Sequence, residues 1–466
     1  MKISKFYRLL LLIAVPILLS SCFAAKDYER PEVINEAQFR TDSLPQDTLT
    51  IATRSWKELF TDPILQGYIE EGLENNIDIR VAMQQILASE AYFKQGKAGY
   101  FPTLSGNAQF NRQYLSKNSQ FGSFFNGHID TYEISGSSSW EADIWGKIRS
   151  QKRAFGASYL QSIAAHKAVK TELIARIATA YYQLLSLDEQ TRVTEQTVQT
   201  RKNSVETTSA LKDAGNVTAA AVKQTEAQYY QAQGILIDLK RQSHLLENTL
   251  SILLNREPTS LERGRLEEQQ IDTIMHVGTP MQLLRNRPDV MAAEYNLVNA
   301  FELTNVARSN FYPSLTLSAI GGLQALSFDD LFSSSSLFAT LVGGLTAPIF
   351  NGRKIRTQYE VSQAQQEQAR LQFRQAVLTG TKEVSDAYFT YEAARDKIEV
   401  KEKKYEAYNV ATDYSEELLN YGLANYLEVL NARENALNSR LDLINARFTE
   451  LSSVVELYRS LGGGWK

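Results

Sequence analysis

Few residues of this chain have the types and spacing that chemistry at a protein site requires. The paired acids Asp329-Asp330 lie in a Ser-rich stretch that is typical of a solvated loop. No glycine-rich phosphate loop and no nucleophile motif occurs in the sequence. The histidines lack metal-ligand spacing; they are His128, His166, His244 and His276. The sequence therefore predicts neither an enzyme nor a metal or cofactor site.

The residue with predicted covalent chemistry is Cys22, the only cysteine. It follows an apolar run, Leu9 to Leu19, that is too short to span a bilayer and is preceded by basic residues. The ending Leu19-Ser20-Ser21-Cys22 resembles a bacterial lipobox, in which the cysteine is lipidated and becomes the new N-terminus. We expect a signal peptide over 1–21 and a lipid anchor on Cys22. A plain signal cleaved elsewhere is the alternative.

The overall charge gives no support for nucleic-acid binding. The formal net charge is −4, and loss of the three basic residues before Cys22 would leave −7. The hydrophobic share of 43% is typical of globular protein. We therefore expect no nucleic-acid partner.

The sequence predicts two very long helices, which must position the functional residues of the chain. Residues 147–212 and 353–420 are free of proline and show apolar residues at helical spacing, with Gly380 as the only glycine of the second run. At 1.5 Å per residue, each helix would be about 100 Å long. A compact globular domain has no use for elements of that length.

The surroundings of the two long helices indicate an internal repeat. Phe101-Pro102-Thr103-Leu104 matches Tyr312-Pro313-Ser314-Leu315, and Ala180-Tyr181-Tyr182 matches Ala387-Tyr388-Phe389. Ala214-Gly215 and Tyr421-Gly422 occupy equivalent places after the long helices. We predict a duplicated unit of strand, loop, strand, very long helix, glycine turn and return helix.

The segments that precede the long helices alternate with period 2. From Thr103 to Tyr114, and again over 131–144, polar side chains point one way and mostly apolar or aromatic ones the other. Strands of this length with one polar face fit a transmembrane β-barrel. A strand of a soluble sandwich is the alternative and would usually be shorter. Strands at 313–326 and 337–349 follow in the second repeat and alternate less cleanly.

Four strands per chain cannot close a membrane barrel, because an open sheet edge would leave backbone groups unpaired in lipid. The smallest outer-membrane barrels have about eight strands, so several chains must contribute to one barrel. Three chains would supply twelve strands, and the polar faces of these strands would line a water-filled interior. The expected product is a tube joined to a long helical extension, which suits a conduit.

Motifs along the whole mature chain resemble the TolC family of outer-membrane efflux proteins, in particular its lipoprotein branch (NodT- and OprM-like). Arg287-Pro288-Asp289-Val290, with Phe311-Tyr312-Pro313-Ser314-Leu315, resembles the best internal signature of that branch. The lead-in Lys26 to Pro31 and the ending Leu461-Gly462-Gly463-Gly464-Trp465 also match. Tyr421-Gly422 with Asn425-Tyr426-Leu427 resembles the periplasmic tip.

The resemblance implies a TolC-like fold: a mixed membrane β-barrel plus a long α-helical barrel, with two structural repeats and four barrel strands per protomer. It implies a homotrimer with a 12-stranded barrel that works as the passive outer-membrane channel of a tripartite efflux system. The partners would be a periplasmic adaptor and an inner-membrane RND-type pump. By the same resemblance, Phe23 in place of an aspartate favours the outer membrane, with a periplasmic helical extension.

The family closes its channel with residues six and nine places after the tip glycine of the second repeat. Here these places hold Glu428 and Asn431, so the usual acid of the branch is missing at the second place. Three copies of Glu428 around an axis would repel one another and favour cations. A solvated helix-surface glutamate is the alternative reading.

The resemblance also assigns adaptor contacts to the two helix tips. The residues concerned are Gly215, Asn216, Gly422 and Asn425. A plain helix-hairpin turn is the alternative for each tip.

The predicted organisation covers the whole chain. The segments are a signal peptide at 1–21, a lipidated N-terminal lead-in at 22–62, a first repeat at 63–257, a connector at 258–285, a second repeat at 286–461 and a tail at 462–466. The return helices are expected at 218–255 and 426–460, and the helices before the strands at 63–99 and from Pro288 to about Phe311.

Two other functions remain open on the sequence alone. A type I secretion outlet would have the same architecture and export proteins. A lipid-anchored coiled-coil scaffold without a pore would show heptads without strands, and the alternation at 103–114 and 131–144 argues against it. The transported molecule is not encoded in any motif that the chain carries.

Overall fold

The computed structural model describes residues 25–32, 50–120, 122–124, 127–269 and 276–465. The helices are α1 (Trp56–Leu59), α2 (Pro63–Asn75), α3 (Ile77–Ala98), α4 (Lys147–Asp213), α5 (Ala219–Leu253), α6 (Leu283–Asn286), α7 (Pro288–Ser309), α8 (Lys354–Asn420) and α9 (Tyr426–Ser460). The strands are β1 (Thr103–Tyr114), β2 (His128–Ala142), β3 (Ser314–Ala325) and β4 (Leu337–Thr346). Among the described residues, no helix combines the length and the apolar character that crossing a bilayer needs.

The chain divides into two compact units that cut across both sequence repeats. The first unit contains residues up to 31, 86–162 and 293–373, and the second contains 32–85, 163–292 and 374–466. Each unit therefore contains segments of both repeats.

The first unit contains a four-stranded antiparallel sheet with the order β1-β2-β3-β4. Strands β1 and β2 pair from Thr103↔Ser139 to Tyr114↔His128, and β3 pairs with both β2 and β4. Strands β1 and β4 are thus the two edges of this sheet. Trp145 follows β2, donates from Nε1 to the Pro313 carbonyl at 2.7 Å and stacks on Tyr312.

The N-terminal segment is held on the first unit by a buried asparagine. Asn305 accepts from the Lys26 backbone N–H at 3.2 Å and donates to the Lys26 carbonyl at 2.9 Å. Arg30 forms a two-pronged ion pair with Glu294, and Tyr28 lies edge-on to Phe301. Burial raises the pKa of Tyr28 to about 12.

The core of the second unit is built on α4. Tyr181 and Tyr182 are buried there with Phe60, Leu65 and Ile69. The Tyr181 hydroxyl donates to Asp62 at 2.6 Å, and burial together with this bond raises the pKa of Tyr181. Because Asp62 also caps the N-terminus of α2, one carboxylate ties two helices together.

The internal repeat is visible in the lengths of the elements. Helices α4 and α8 both have 67 residues, and α5 and α9 both have 35. Their start positions differ by 207 in each case, as Lys147 and Lys354 do. Upstream, α3 and α7 both have 22 residues, and β1 and β3 both have 12. The start positions of the two members of each of these pairs differ by 211. The second repeat is therefore four residues shorter between its first strand and its long helix.

The predicted helix at 63–99 was wrong, because Asn76 splits it into α2 and α3. The Asn76 side chain accepts from the backbone N–H groups of Asp78 and Ile79, which starts a new helix. Its amide also donates to the Leu253 carbonyl at 2.9 Å. This distant contact fixes the break.

Two strand predictions also need correction. Strand β2 ends at Ala142 instead of 144, because Asp143 accepts from the backbone N–H groups of Ile148 and Arg149 and caps α4. Strand β4 ends at Thr346 instead of 349, since Pro348 has no N–H for a ladder bond. Strand β2 also starts earlier than predicted, at His128.

The remaining bounds lie close to those predicted. Strand β1 spans the predicted range and α9 the predicted 426–460, while α4, α5, α8 and β3 differ by one or two residues at an end. Helix α7 ends at Ser309, and α6 begins inside the predicted connector. The predicted signal peptide lies outside the described residues, as do residues 22–24 and 33–49 of the predicted lead-in.

Candidate functional site

The two faces of the sheet differ in polarity. Along one face, Gln109, Glu133 and Gln324 lie side by side in register, and Ser105 pairs with Ser137 below them. Gln324 donates to Glu133 at 3.4 Å, and Ser135 donates to the same carboxylate at 2.7 Å. These contacts make one face a continuous hydrogen-bonding surface.

The opposite face is apolar and exposed. Leu104, Leu341 and Leu345 are exposed there, and the rings of Phe110 and Tyr132 meet at 4.8 Å. A soluble sheet would bury such a face against another layer, whereas a membrane strand leaves it to lipid.

Several positions depart from a strict alternation of polar and apolar side chains. On the apolar face, Arg112 forms a two-pronged ion pair with Asp130 at 2.6 and 2.7 Å. Ile320 and Val342 lie on the polar face of β3 and β4 by register. The polar and apolar faces are therefore less clearly separated in β3 and β4 than in β1 and β2.

The first helix tip closes with a Schellman motif. Gly215 has φ +81°, its N–H donates to the Lys212 carbonyl, and the Asn216 N–H donates to the Leu211 carbonyl. Both residues are exposed, and Thr218 then caps α5. The tip is a compact turn whose side chains are free to meet another surface.

The second tip repeats this geometry 207 residues later. Gly422 has φ +71° and donates to the Leu419 carbonyl, and the Leu423 N–H donates to the Leu418 carbonyl. Asn425 caps α9 by accepting from the Glu428 N–H at 3.1 Å. The Asn425 amide also donates to the Glu428 carboxylate at 3.1 Å. Glu428 thus has a structural role in the cap besides its predicted role in a pore.

The predicted aperture residues lie on one exposed strip of α9. Glu428 and Asn431 are exposed one turn apart, and the buried Val429 and Leu430 lie between them on the other side. Asn435 and Asn438 continue the strip at helical spacing and are also exposed. The sequence reasoning missed these two amides, although the spacing was readable. Their placement around a pore, like that of Glu428 and Asn431, stays a prediction.

The Arg287 signature motif has a structural role. The buried Arg287 guanidinium contacts Asp289 at 2.6 Å and Glu383 on α8 at 2.8 Å, and it donates to the Ser460 carbonyl at 2.9 Å. Burial opposes its charge, but these partners raise the pKa of Arg287. Burial likewise opposes ionisation of Asp289, and the bond from Arg287 leaves the pKa of Asp289 lowered. The motif fixes the end of α9.

The glycine-rich C-terminus packs against the same region. Trp465 donates from Nε1 to the Asn286 carbonyl at 2.8 Å, and the Lys167 ammonium lies 3.9 Å from the centre of its ring. A Cβ on Gly462 would lie 2.4 Å from the Asn286 carbonyl oxygen, so this close approach needs glycine.

No group of three or more His, Cys, Asp or Glu side chains that could hold a metal ion occurs in the described part of the chain. Cys22 lies outside the described residues, so its lipidation stays a prediction. The candidate site therefore consists of a sheet with one polar and one apolar face, two long helical hairpins, and the exposed turns at the hairpin tips.

The family model for outer membrane efflux proteins matches residues 68–256 and 279–463. The chain belongs to the outer membrane efflux protein family. The matched ranges cover nearly all of both repeats, including the four described strands and both long helices.

Individual relatives agree with this assignment. The solvent efflux pump outer membrane protein SrpC of Pseudomonas putida is 28% identical over 457 residues, which cover 96% of this chain and 97% of SrpC. The cation efflux system protein CusC of Escherichia coli K12 is 26% identical and covers 98% of this chain and 99% of CusC. The open-state MtrE channel of Neisseria gonorrhoeae superposes with a TM-score of 0.84 at 24% identity, covering 95% of this chain and 98% of MtrE.

These comparisons confirm the predicted TolC-like fold, the efflux-channel function and the outer-membrane localisation. As a member of this family, the chain is a channel protein and not an enzyme.

Proposed function

We propose that three copies of this chain form one passive outer-membrane channel. The observation that carries the proposal is the four-stranded sheet with a polar face, an exposed apolar face and two edge strands, β1 and β4. Edges that face lipid must be paired, and twelve strands close a barrel with a water-filled interior. The long hairpins α4–α5 and α8–α9 would form the periplasmic tunnel below it.

The N-terminus would add a lipid anchor. Cys22 precedes Ala25 by three residues, and the segment from Lys26 to Arg30 is fastened by Asn305 and Glu294. A lipid on Cys22 would therefore enter the membrane close to a fixed point of the protein. A lipid on Cys22 would add to the attachment that the barrel provides.

The cargo would be small molecules delivered by a periplasmic adaptor and an inner-membrane RND-type pump. The names of the relatives include solvents and cations, which supports small-molecule efflux as the class. The exposed tips at Gly215, Asn216, Gly422 and Asn425 are the proposed adaptor contacts. Glu428 and Asn431 are the proposed aperture.

Two measurements on the detergent-purified mature protein test this function. Mass determination should give three chains per particle, and insertion into a planar lipid bilayer should give discrete ion conductance. A monomeric protein, or a trimer that never conducts under any pH or voltage, would contradict the proposal.

A further inference from the structure

An arginine lies on the face of the sheet that the proposed barrel turns towards lipid. Arg112 on β1 shares this face with Leu104 and Phe110. Its partner in register on β2 is Asp130. In the second repeat, the place 211 residues after Arg112 holds Leu323, so the charge is specific to β1. A charged side chain on the lipid face is costly at the middle of a bilayer and costs little near its surfaces. The depth of Arg112 therefore decides what it can bind.

Aromatic side chains mark the two edges of the lipid-facing band. On β2, Trp140 lies at the edge near the helices and donates from Nε1 to the Tyr100 carbonyl at 2.9 Å. At about 3.3 Å per residue and a strand tilt of about 40°, Tyr132 would lie roughly 20 Å above Trp140, and Asp130 roughly 25 Å. The apolar band of an outer-membrane barrel is about 25 Å tall. Asp130 and its partner Arg112 therefore lie at the edge of the band, level with lipid headgroups.

This edge of the sheet faces the outside of the cell. Strands β1 and β2 lead to α3 and α4 at their other ends, and the helical extension is periplasmic. The ends of the two strands at Tyr114 and His128 are therefore the outer ends. The headgroups that surround Arg112 would be those of the outer leaflet.

The ion pair with Asp130 uses only part of the Arg112 guanidinium. The Asp130 carboxylate accepts from Nε at 2.7 Å and from Nη2 at 2.6 Å. A guanidinium has five N–H donors in a planar fork, so three remain, including both on Nη1. A phosphate can accept two parallel hydrogen bonds from this second edge. The nearby Tyr114 hydroxyl could donate to the same phosphate. The Arg112 side chain is 44% exposed, so a ligand can reach it.

Neighbouring side chains hold the guanidinium in one orientation. The Arg112 Cζ lies 5.7 Å from the centre of the Phe110 ring, and that ring meets Tyr132 at 4.8 Å. On the other side of the ion pair, the His128 Nε2 lies 3.6 Å from the Asp130 carboxylate. A charged group that is already fixed loses little side-chain entropy when a ligand binds.

An exposed apolar surface extends from the Phe110–Tyr132 pair. The Tyr132 ring lies edge-on to Phe328 at 5.8 Å, and Phe328 lies edge-on to Phe332 at 6.0 Å. Phe328 and Phe332 are 59% and 65% exposed. A phosphate-binding group beside an exposed apolar surface fits an amphipathic molecule better than a free phosphate ion.

We propose that Arg112 binds the phosphate of an outer-leaflet lipid whose apolar part lies on Phe110, Tyr132 and Phe328. Asp130 positions the guanidinium by holding its Nε edge. The proposal rests on the proposed barrel, which turns this face of the sheet towards lipid. It gives each chain one site for a lipid with a phosphate headgroup.

Spin-labelled lipids test the site in a reconstituted bilayer. The mature protein is placed in phosphatidylcholine with a small fraction of labelled phosphatidic acid, or of labelled diacylglycerol with the same acyl chains. These two probes differ only in the phosphate. The wild-type protein should bind phosphatidic acid about tenfold more tightly than diacylglycerol, because charge-assisted hydrogen bonds hold the phosphate.

Two substitutions of Arg112 separate charge from geometry. Arg112→Gln should abolish the preference for phosphatidic acid. Arg112→Lys should keep only part of it, because an ammonium group carries the charge but lacks the planar fork. The lysine variant also provides the test if the glutamine variant does not insert into the bilayer.

The matched control is Arg370 on α8. Its Nε and Nη2 pair with Glu367 at 2.7 Å each, as those of Arg112 pair with Asp130. Arg370 lies 16 residues after the start of α8 at Lys354, which is roughly 24 Å of helix away from the sheet. Arg370→Gln should therefore leave the lipid preference unchanged.

The outcomes separate the lipid site from the channel itself. A protein that conducts but binds both probes equally would overturn the lipid site alone, as would a wild-type preference in Arg112→Gln. Displacement of phosphatidic acid by an equal concentration of inorganic phosphate would indicate a site for free phosphate and overturn the assignment to a lipid. A protein that neither inserts nor conducts would overturn the proposed function as well.

Discussion

Arg287 explains the single glycine of the 67-residue helix α8. A Cβ on Gly380 would meet the Arg287 side chain at 3.3 to 3.5 Å from Cδ, Nε and Cζ. Arg287 cannot move aside, because Asp289, Glu383 and the Ser460 carbonyl hold its guanidinium. Gly380 is therefore kept in a long helix, where alanine would otherwise be favoured.

If Arg287 is the reason for Gly380, the effect of Gly380→Ala on the free energy of unfolding should change sign when Arg287 is removed. Gly380→Ala should destabilise the protein that contains Arg287. In the Arg287→Ala background, the same change should stabilise by up to about 1 kcal/mol, which is the helix-propensity difference. Thermal unfolding of the four proteins of this double-mutant cycle measures both effects. Equal effects of Gly380→Ala in the two backgrounds would refute the explanation.

Glu428 has two possible roles, and its hydrogen bonds allow them to be separated. Glu428→Gln keeps an oxygen that can accept from Asn425 but removes the charge, whereas Glu428→Ala removes both. If three carboxylates surround the pore, both variants should lower the cation preference and the alanine variant should not lower conductance. Single-channel recordings of the ion selectivity measure this.

The control for the aperture is an exposed acid on the first long helix, Glu206. Glu206→Ala should leave selectivity unchanged. Wild-type selectivity in both Glu428 variants would remove this residue from the aperture and leave it as a helix cap.

At the scale of elements, the glycines that end α8 and α9 share a positive φ but differ in how closely other atoms approach them. Gly422 and Gly462 both end a helix at positive φ, +71° and +85°. A Cβ on Gly422 would meet nothing within 4 Å, but a Cβ on Gly462 would meet the Asn286 carbonyl oxygen at 2.4 Å. Alanine at Gly422 should therefore cost only the backbone strain of about 1–2 kcal/mol, and alanine at Gly462 clearly more.

Thermal unfolding of Gly422→Ala and Gly462→Ala compares the two positions. Asn255, which occupies the place of Gly462 in the first repeat at φ +59°, provides the reference for a side chain tolerated there. A larger loss at Gly422 than at Gly462 would contradict the packing described for the C-terminus.

The elements also show which parts of the fold the sequence could predict. Strand β1 and the long helices were predictable because periodicities of 2 and 3.6 are local properties of the chain. The break at Asn76 was not, because its amide bonds the distant Leu253 carbonyl. The end of β2 was misplaced because Asp143 caps α4 instead of continuing the strand.

The candidate site was predictable to a similar extent. The tip turns followed from glycines after long helices, and Gly215 and Gly422 take the positive φ that such ends favour. The contact of Arg287 with Gly380 and Ser460 was not predictable, because it joins residues that are distant in sequence.

At the scale of the whole molecule, the repeat accounts for how one chain can build a conduit. In the part of the chain that the structure describes, there are two hairpins of equal length and four strands, so three chains would supply six hairpins and twelve strands. The lumen of such an assembly belongs to no single chain. We therefore propose that the functional molecule is a hollow trimer.

Electron microscopy of the detergent-purified mature protein would show whether the particle is a hollow trimer. We predict three-fold end views around a central lumen. Side views should show a cylinder longer than the roughly 100 Å that a 67-residue helix spans. Compact particles, or solid rods without a lumen, would contradict a hollow trimer and favour a lipid-anchored scaffold.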